Sequence, residues 1–355
     1  MKRLITWTLI AVSIVLLLSI VSPYFHPETI PFLPFFGLLY PIWFVLTLAI
    51  TILALFINRK IGYWGLVVLV FSISSNLKIA GIHFSEVTSK EAGIKVLSYN
   101  VKLFGLYDDV TTKTRDHIFQ FIRKENPDIV FFQEYFRQDK PTKFETFDSL
   151  ITIIKAKDYH ERSAHNSKGH RNFGVAIFSK LPMIAKGDVI FDNQSTSDFN
   201  FCIFADVVAH KDTFRVYNVH LQSIRLSEPG DTKQKMLLSG FNTGIRRLKT
   251  AYNKRAHQAN KVIDHINHSP YPVIICGDFN DTPISYTYQQ FNKSLTDAFL
   301  NCQWGLGRTY IGKIPAGRID YIFHSTHLAS SDFRVHDVAY SDHKPISCKI
   351  HFKNE

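Results

Sequence analysis

At 355 residues the chain has room for one large domain or two ordinary ones, and its 41 Lys and Arg against 30 Asp and Glu are distributed too unevenly for a uniform soluble globule. Residues 1–80 hold five of the basic side chains (Lys2, Arg3, Arg59, Lys60, Lys78) and one acid (Glu28), so the remaining 275 residues keep 36 basic and 29 acidic, a net of +7 that favours an anionic partner. The four cysteines, Cys202, Cys276, Cys302 and Cys348, are too far apart for a paired zinc or redox motif and read as buried thiols, with a disulfide open to them outside the cytoplasm.

The first element is Leu4–Val21, an uncharged apolar run of 18 residues. That suits a helix crossing about 30 Å of hydrocarbon. A signal peptide would end in a small-residue cleavage site, and here two further apolar stretches follow instead. We expect about three transmembrane helices, near 4–21, 33–57 and 61–76, in a membrane region 1–80 followed by a linker 81–92. Pro23, Pro27 and Pro31 mark the first connection and Asn58-Arg59-Lys60 the second. Lys2 and Arg3 at the start and Arg59 and Lys60 in the second connection put those ends in the cytoplasm. The expectation is therefore a multi-pass membrane protein whose domain 93–355 is extracytoplasmic.

From Gly93 onward, apolar runs of strand length alternate with polar turns and a few segments of helical period. Expected strands are Ile94–Tyr99, Ile129–Gln133, Phe173–Ser179, Phe201–Val208, Thr213–His220, Val273–Gly277, Asp320–Phe323 and Ile346–Phe352. Expected helices are Thr114–Glu125 and Tyr252–Ile266, the latter with Ala256, Ala259, Val262, Ile263 and Ile266 on one face. This is an α/β pattern, two packed sheets with helices outside.

Polar side chains recur where these strands end, as on a scaffold that presents chemistry from its loops. Leu97-Ser98-Tyr99-Asn100 ends on an amide, Ile129-Val130-Phe131-Phe132-Gln133-Glu134 on a carboxylate, and Val216-Tyr217-Asn218-Val219-His220 on an imidazole. Val273-Ile274-Ile275-Cys276-Gly277-Asp278-Phe279-Asn280 runs from a buried strand into an Asp-x-Asn pair, two side chains on one side of an extended segment. Gly317-Arg318-Ile319-Asp320-Tyr321 and Ser341-Asp342-His343 follow. Any one of these alone reads as an ordinary turn or solvated strand end.

In this order the six segments resemble the endonuclease/exonuclease/phosphatase family, which includes DNase I, abasic-site endonucleases, neutral sphingomyelinases and inositol polyphosphate phosphatases. The resemblance spans about 260 residues. It implies a four-layer, DNase I-like α/β sandwich and a metal-dependent phosphoric ester hydrolase. It also implies that Glu134 binds a divalent metal, with Asn100 and Asp342 close to the same site. Oxygen ligands select a hard cation, so Mg²⁺ is expected, with Mn²⁺ a possible substitute. By the same resemblance Asp278 orients and deprotonates the attacking water, and Asn280 positions it or the phosphate. His343, charged and held by Asp320, donates to a phosphoryl or leaving oxygen, and His220 binds the phosphate.

Asp278 is not preceded by the Trp of the inositol polyphosphate phosphatases, and Arg318-Ile319-Asp320-Tyr321 departs from their Cys-Asp-Arg motif. No abasic-site signature stands out beyond the shared core. Two basic segments bear on substrate: Ser163–Asn172, where Arg171 with His165, Lys168 and His170 could grip phosphate or simply be solvated, and Arg225–Lys249, readable as an amphipathic lid or an ordinary loop and helix. The expected function is hydrolysis of phosphodiester bonds of endonuclease/exonuclease type, with nucleic acid or a phospholipid headgroup as substrate. A phosphomonoesterase and a catalytically silent binding module are the alternatives, and no obligate protein partner is inferred.

Overall fold

The computed structural model describes residues 1–83, 93–107, 112–139, 144–166, 171–192, 199–209, 211–224, 241–312 and 317–353. Two compact units result: Met1–Ala80 with Ile224–His257 and Asp281–Gln290, and Gly81–Ser223 with Gln258–Asn280 and Phe291–Glu355.

The first unit contains α1 (Lys2–Val21), α2 (Leu33–Leu38), α3 (Tyr40–Ile57), α4 (Arg59–Phe71) and α5 (Ile73–Ile79). Lys2–Tyr24 and Tyr40–Ile57 are each long and apolar enough to cross a membrane, and α4 with α5 makes a third candidate, bent by 46°. The helix expected over 33–57 is therefore two, broken at Leu39, because Pro41 has no N–H to continue a preceding helix. The third apolar segment, expected over 61–76, runs from Arg59 to Ile79 and bends at Ser72. The Ser72 hydroxyl donates to Leu69 O at 2.6 Å, and the Tyr40 hydroxyl lies 3.1 Å from Ser72 O and 3.0 Å from Asn76 Oδ1. Side chains thus answer the backbone groups that the bend releases. Gly62 and Gly65 let α3 and α4 approach closely: a Cβ on Gly65 would collide with the Thr51 hydroxyl.

In the second unit the strands are β1 (Gly81–Ile82), β2 (Ile94–Asn100), β3 (Ile129–Gln138), β4 (Asp158–Asn166), β5 (Arg171–Ser179), β6 (Met183–Asp188), β7 (Phe201–Ala209), β8 (Asp212–His220), β9 (Val273–Asp278), β10 (Thr296–Asp297), β11 (Trp304–Gly305), β12 (Asp320–His324), β13 (Leu328–Val335) and β14 (Ile346–Phe352). Two six-stranded sheets have the orders β13-β14-β2-β3-β5-β4 and β10-β12-β9-β8-β7-β6, and β1 pairs with β11. Their inner faces share one core, Val96, Ile129, Phe131 and Ile177 from the first sheet meeting Ile203, Val216, Ile274 and Cys276 from the second. Alternate residues of the first sheet, Leu97, Val130 and Phe132, face outward onto Ile118 and Ile122 of α6 (Lys113–Glu125) and Leu150 of α7 (Phe147–Ile154). Burial on both faces explains why these strands read as unbroken apolar runs.

The outer face of the second sheet carries the end of α8 (Phe241–Asn267), whose His265 meets the Tyr217 hydroxyl at 2.8 Å. The layers are those of the expected DNase I-like α/β sandwich. α8 begins eleven residues before the helix expected at Tyr252, while 225–240 lie outside the described residues. All four cysteines are free and buried.

Candidate active site

Three neighbouring strands of the second sheet bring an imidazole and two carboxylates into one row. His220, the last residue of β8, pairs with Asp278 of β9, and Asp278 pairs with Asp320, the first residue of β12. The first sheet adds Asn100 at the end of β2, paired with Gln133 of β3. Glu134 follows in a β-bulge with φ +48°, where the register slips between Gln133 and Tyr135. Bulges re-aim side chains. Without this one, Glu134 would continue the outward series of Val130 and Phe132; with it, Glu134 Oε1 lies 3.4 Å from Asn100 Nδ2.

Asp278 is the hub, 1% exposed. Its Oδ2 accepts from Asn100 Nδ2 at 3.0 Å and Asn280 Nδ2 at 3.2 Å, and its Oδ1 accepts from the Asn280 backbone N–H at 2.8 Å. His343 Nε2 lies 3.7 Å and His220 Nε2 3.8 Å from the same Oδ2. On its other side, His343 Nδ1 sits 3.0 and 3.1 Å from the two oxygens of Asp320. The Ser341 hydroxyl donates to Asn100 O at 2.8 Å, tying the Ser341-Asp342-His343 turn to the end of β2.

The electrostatics follow from this packing. Burial alone would discharge His343, but the carboxylates of Asp320 and Asp278 outweigh it and push its pKa up to about 10, so the ring is a cation at neutral pH. Burial pushes Asp278 up to about 6, helped by Asp320 and opposed by His343. Burial lowers His220 and raises Glu134, whose carboxylate also feels the charge of Asp342.

Two groupings could hold a metal. Ligand atoms of Asp278, Asp320 and His343 lie within 4.8 Å of one another. Here the His343 ring is engaged on both sides, with Nδ1 3.0 Å from Asp320 and Nε2 3.7 Å from Asp278, so the three side chains face one another. Glu134 and Asp342 offer carboxylate oxygens instead, while Asn100, expected to lie close to the same site, turns its Nδ2 toward Glu134 at 3.4 Å and accepts the Lys102 N–H on its Oδ1 at 3.1 Å. A carboxylate whose charge is disfavoured by burial and by the like charge of Asp342 fits a cation site.

Asn100, Glu134, His220, Asp278, Asn280, Asp320 and His343 therefore converge, and Asp342, next to His343 in the chain, acts on Glu134 and His343 through its charge. Arg171 stands exposed at the start of β5, and no hydrogen bond or ion pair joins it to the cluster among the described residues, while 167–170 lie outside them. Sequence reading missed the supports. Asn218 reaches from β8 across to the first sheet, its Nδ2 donating to Phe132 O at 2.9 Å and Ala176 O at 2.8 Å while its Oδ1 accepts from Gln133 Nε2 at 2.7 Å. Its signal was a polar residue two positions before His220 in the apolar run Val216–Val219. Thr309 and Tyr310 were missed as well: Thr309 Oγ1 accepts from the Asp320 N–H at 3.2 Å, and the Tyr310 ring stands 5.0 Å edge-on from His343.

Solved structures with this fold include an endonuclease/exonuclease/phosphatase family protein from Leptotrichia buccalis (TM-score 0.53, 18% identity, covering 73% of this chain and 100% of that one). The human Nocturnin catalytic domain with bound sulfate is similar at TM-score 0.53 and 17% identity, over 74% of this chain and 95% of that one. The mannosyl-6-phosphatase Bt3783 of Bacteroides thetaiotaomicron is similar at 0.52 and 19%, over 73% and 100%. A search of curated proteins returned no match. Residues 2–78 match a domain of unknown function. Residues 97–343 match the Endonuclease/Exonuclease/phosphatase family, and with that span covering most of the chain and ending on the motif that carries His343, the protein belongs to this family of metal-dependent phosphoester hydrolases.

Proposed function

We propose that this protein is a membrane-anchored, Mg²⁺-dependent hydrolase of phosphodiester bonds, of endonuclease/exonuclease type. The observation that carries the reading is Asp278, a buried carboxylate oriented by two amides with a charged imidazole 3.7 Å away. In-line displacement at phosphorus needs a base for water and positive donors for the equatorial and leaving oxygens. Asp278 takes the proton of the water, and Asn280 holds that water or the phosphate. His343, kept charged by Asp320, donates to a phosphoryl or leaving oxygen. His220 binds the phosphate from the neighbouring strand. Glu134 and Asp342, with Asn100 beside Glu134, would hold a divalent cation, which when bound would supply neutralising charge to the phosphoryl oxygens; carboxylate oxygens favour Mg²⁺, with Mn²⁺ able to replace it.

For the anchor we propose three crossings, α1, α3 and the bent α4–α5. Lys78 Nζ lies 3.3 Å from the Tyr24 hydroxyl, which supports the third segment returning to the end where the first finishes. With Lys2, Arg3, Arg59 and Lys60 cytoplasmic, the catalytic domain is extracytoplasmic.

The test is the full chain in nanodiscs, with and without Mg²⁺, against supercoiled plasmid, sphingomyelin vesicles and a phosphomonoester, with Asp278→Ala as control. Nicking that needs both Mg²⁺ and Asp278 supports the nuclease reading. Headgroup release alone makes the substrate a phospholipid, phosphate release alone makes the protein a phosphomonoesterase, and binding without turnover sinks the catalytic reading.

A further inference from the structure

The ten residues Asp281–Gln290 follow the catalytic Asn280 in the chain, yet they fold into the same compact unit as Met1–Ala80. Ile284 is 2% exposed and shares an apolar cluster with Leu16 of α1, Tyr40 of α3 and Val68 of α4. Gly37 admits this backbone: a Cβ there would lie 2.6 Å from Ile284 O and 2.7 Å from Ser22 Oγ. Lys78, in the last turn of α5, donates to Gln289 Oε1 at 2.6 Å. The His26 ring stands 5.0 Å edge-on from Tyr286. From α8, the wholly buried Arg255 donates through Nε to Asp281 Oδ2 at 3.1 Å.

These contacts matter because of what precedes them. Asn280 is held at φ +53° and Gly277 at φ +150°, so the backbone on both sides of Asp278 is in conformations that most side chains resist. Such conformations persist only where neighbouring structure over-determines them. Asn280 is joined to the pinned Asp281 by a single peptide bond, and a membrane helix region that only tethered the enzyme would need no grip on this segment.

We propose that the N-terminal helical region is a clamp as well as an anchor. Its ligand is the chain's own segment Asp281–Gln290, and by gripping Ile284, Tyr286 and Gln289 it fixes the loop that carries Asp278 and Asn280. Gly37 and Lys78 are thus positioning residues for the hydrolytic reaction, a conclusion that rests on the hydrolase reading above. The clamp gives a role to the region that matches a domain of unknown function.

The experiment compares the full chain in nanodiscs with Gly37→Val, which crowds the Ile284 carbonyl and the Ser22 hydroxyl, and Lys78→Met, which removes the donor to Gln289 together with its contact to the Tyr24 hydroxyl. Amide exchange over Gly277–Gln290 is read beside kcat and KM. Faster exchange in both variants is expected, with kcat reduced roughly 10- to 100-fold and KM little changed, since small misplacement of catalytic groups costs rate. Lys78→Arg, which keeps a donor for Gln289, restores both readouts. Faster exchange with unchanged kcat would overturn the proposal, as would unchanged exchange in both variants. If the wild-type chain hydrolyses no phosphoester, the hydrolase reading fails by itself, and exchange over Gly277–Asn280 still decides the clamp: unchanged protection there overturns it.

Discussion

Asp320 stands directly opposite Asp278 across the β12–β9 pair, and the two buried carboxylates share one imidazole between them. Like charges so close disfavour double ionisation. The His343 cation resolves this, with Nδ1 3.0 Å from Asp320 and Nε2 3.7 Å from Asp278. In the proposed mechanism the labour divides accordingly: Asp320 helps keep the ring charged, and Asp278 accepts the proton.

Asp278→Asn should keep the size of the side chain but remove the base, its new NH₂ facing donors of Asn100 or Asn280. A fall in single-turnover rate of about 10²- to 10⁴-fold is expected. A rate within tenfold of wild type, measured under saturating Mg²⁺, would assign the base elsewhere.

The pH profile should be bell-shaped. Asp278 must lose its proton, and burial raises its pKa, so activity climbs as pH rises through that value. His343 must keep its proton, and Asp320 holds it to about 10. In Asp320→Asn the largest raising charge is gone while that of Asp278 stays, so the alkaline limb of kcat/KM should move to lower pH. An alkaline limb that stays where it was would exclude His343 as the group responsible.

Glu134→Gln should raise the Mg²⁺ concentration for half-maximal activity by at least roughly tenfold, the scale seen for perturbed metal shells. The same variant should lose any Mg²⁺-dependent rise in melting temperature, a readout independent of turnover. Equal Mg²⁺ responses in variant and wild type would exclude the Glu134 site.

Asn218→Ala removes the amide that joins the two sheets, taking its donors from Phe132 O and Ala176 O and the shortest of the Gln133 amide's hydrogen bonds, so that Gln133 Nε2 keeps only Ser98 Oγ at 3.2 Å and Phe131 O at 3.4 Å. A buried group left without its partner costs about 1–3 kcal/mol. Chemical denaturation of the variant should show that loss; a stability change below about 0.5 kcal/mol, the scale of an ordinary surface substitution, would mean that water replaces the bridge.

His336 gives a stability test away from the active site. Burial lowers its pKa to about 4, with Lys95 and Arg334 acting in the same direction and Glu125 opposing. The unfolded chain therefore binds a proton between about pH 6.5 and 4 that the folded chain does not, so stability should fall as pH drops through that window. His336→Phe should flatten this slope in melting curves taken across the window, and an unchanged slope would assign it to other groups.

Much of the fold was legible because the central strands are buried on both faces and read as apolar runs, each closing on a polar residue. Besides the two-residue pair β1–β11, the strands that escaped, β4, β6, β10 and β13, are the four edges of the two six-stranded sheets. Edge strands carry polar side chains such as those of Asp158-Tyr159-His160-Glu161-Arg162 in β4, which guard against edge pairing and erase the apolar signal. The six motifs could be named from sequence since each is contiguous. Sequence fixes the order and chemistry of those local pieces, including the apolar length of the helices before them. Only the tertiary structure decided that a bulge turns Glu134 toward Asn100, that His343 lies between Asp320 and Asp278, and that Asp281–Gln290 packs among the N-terminal helices. Those relations join residues tens to hundreds of positions apart, and nothing in local periodicity or spacing encodes them.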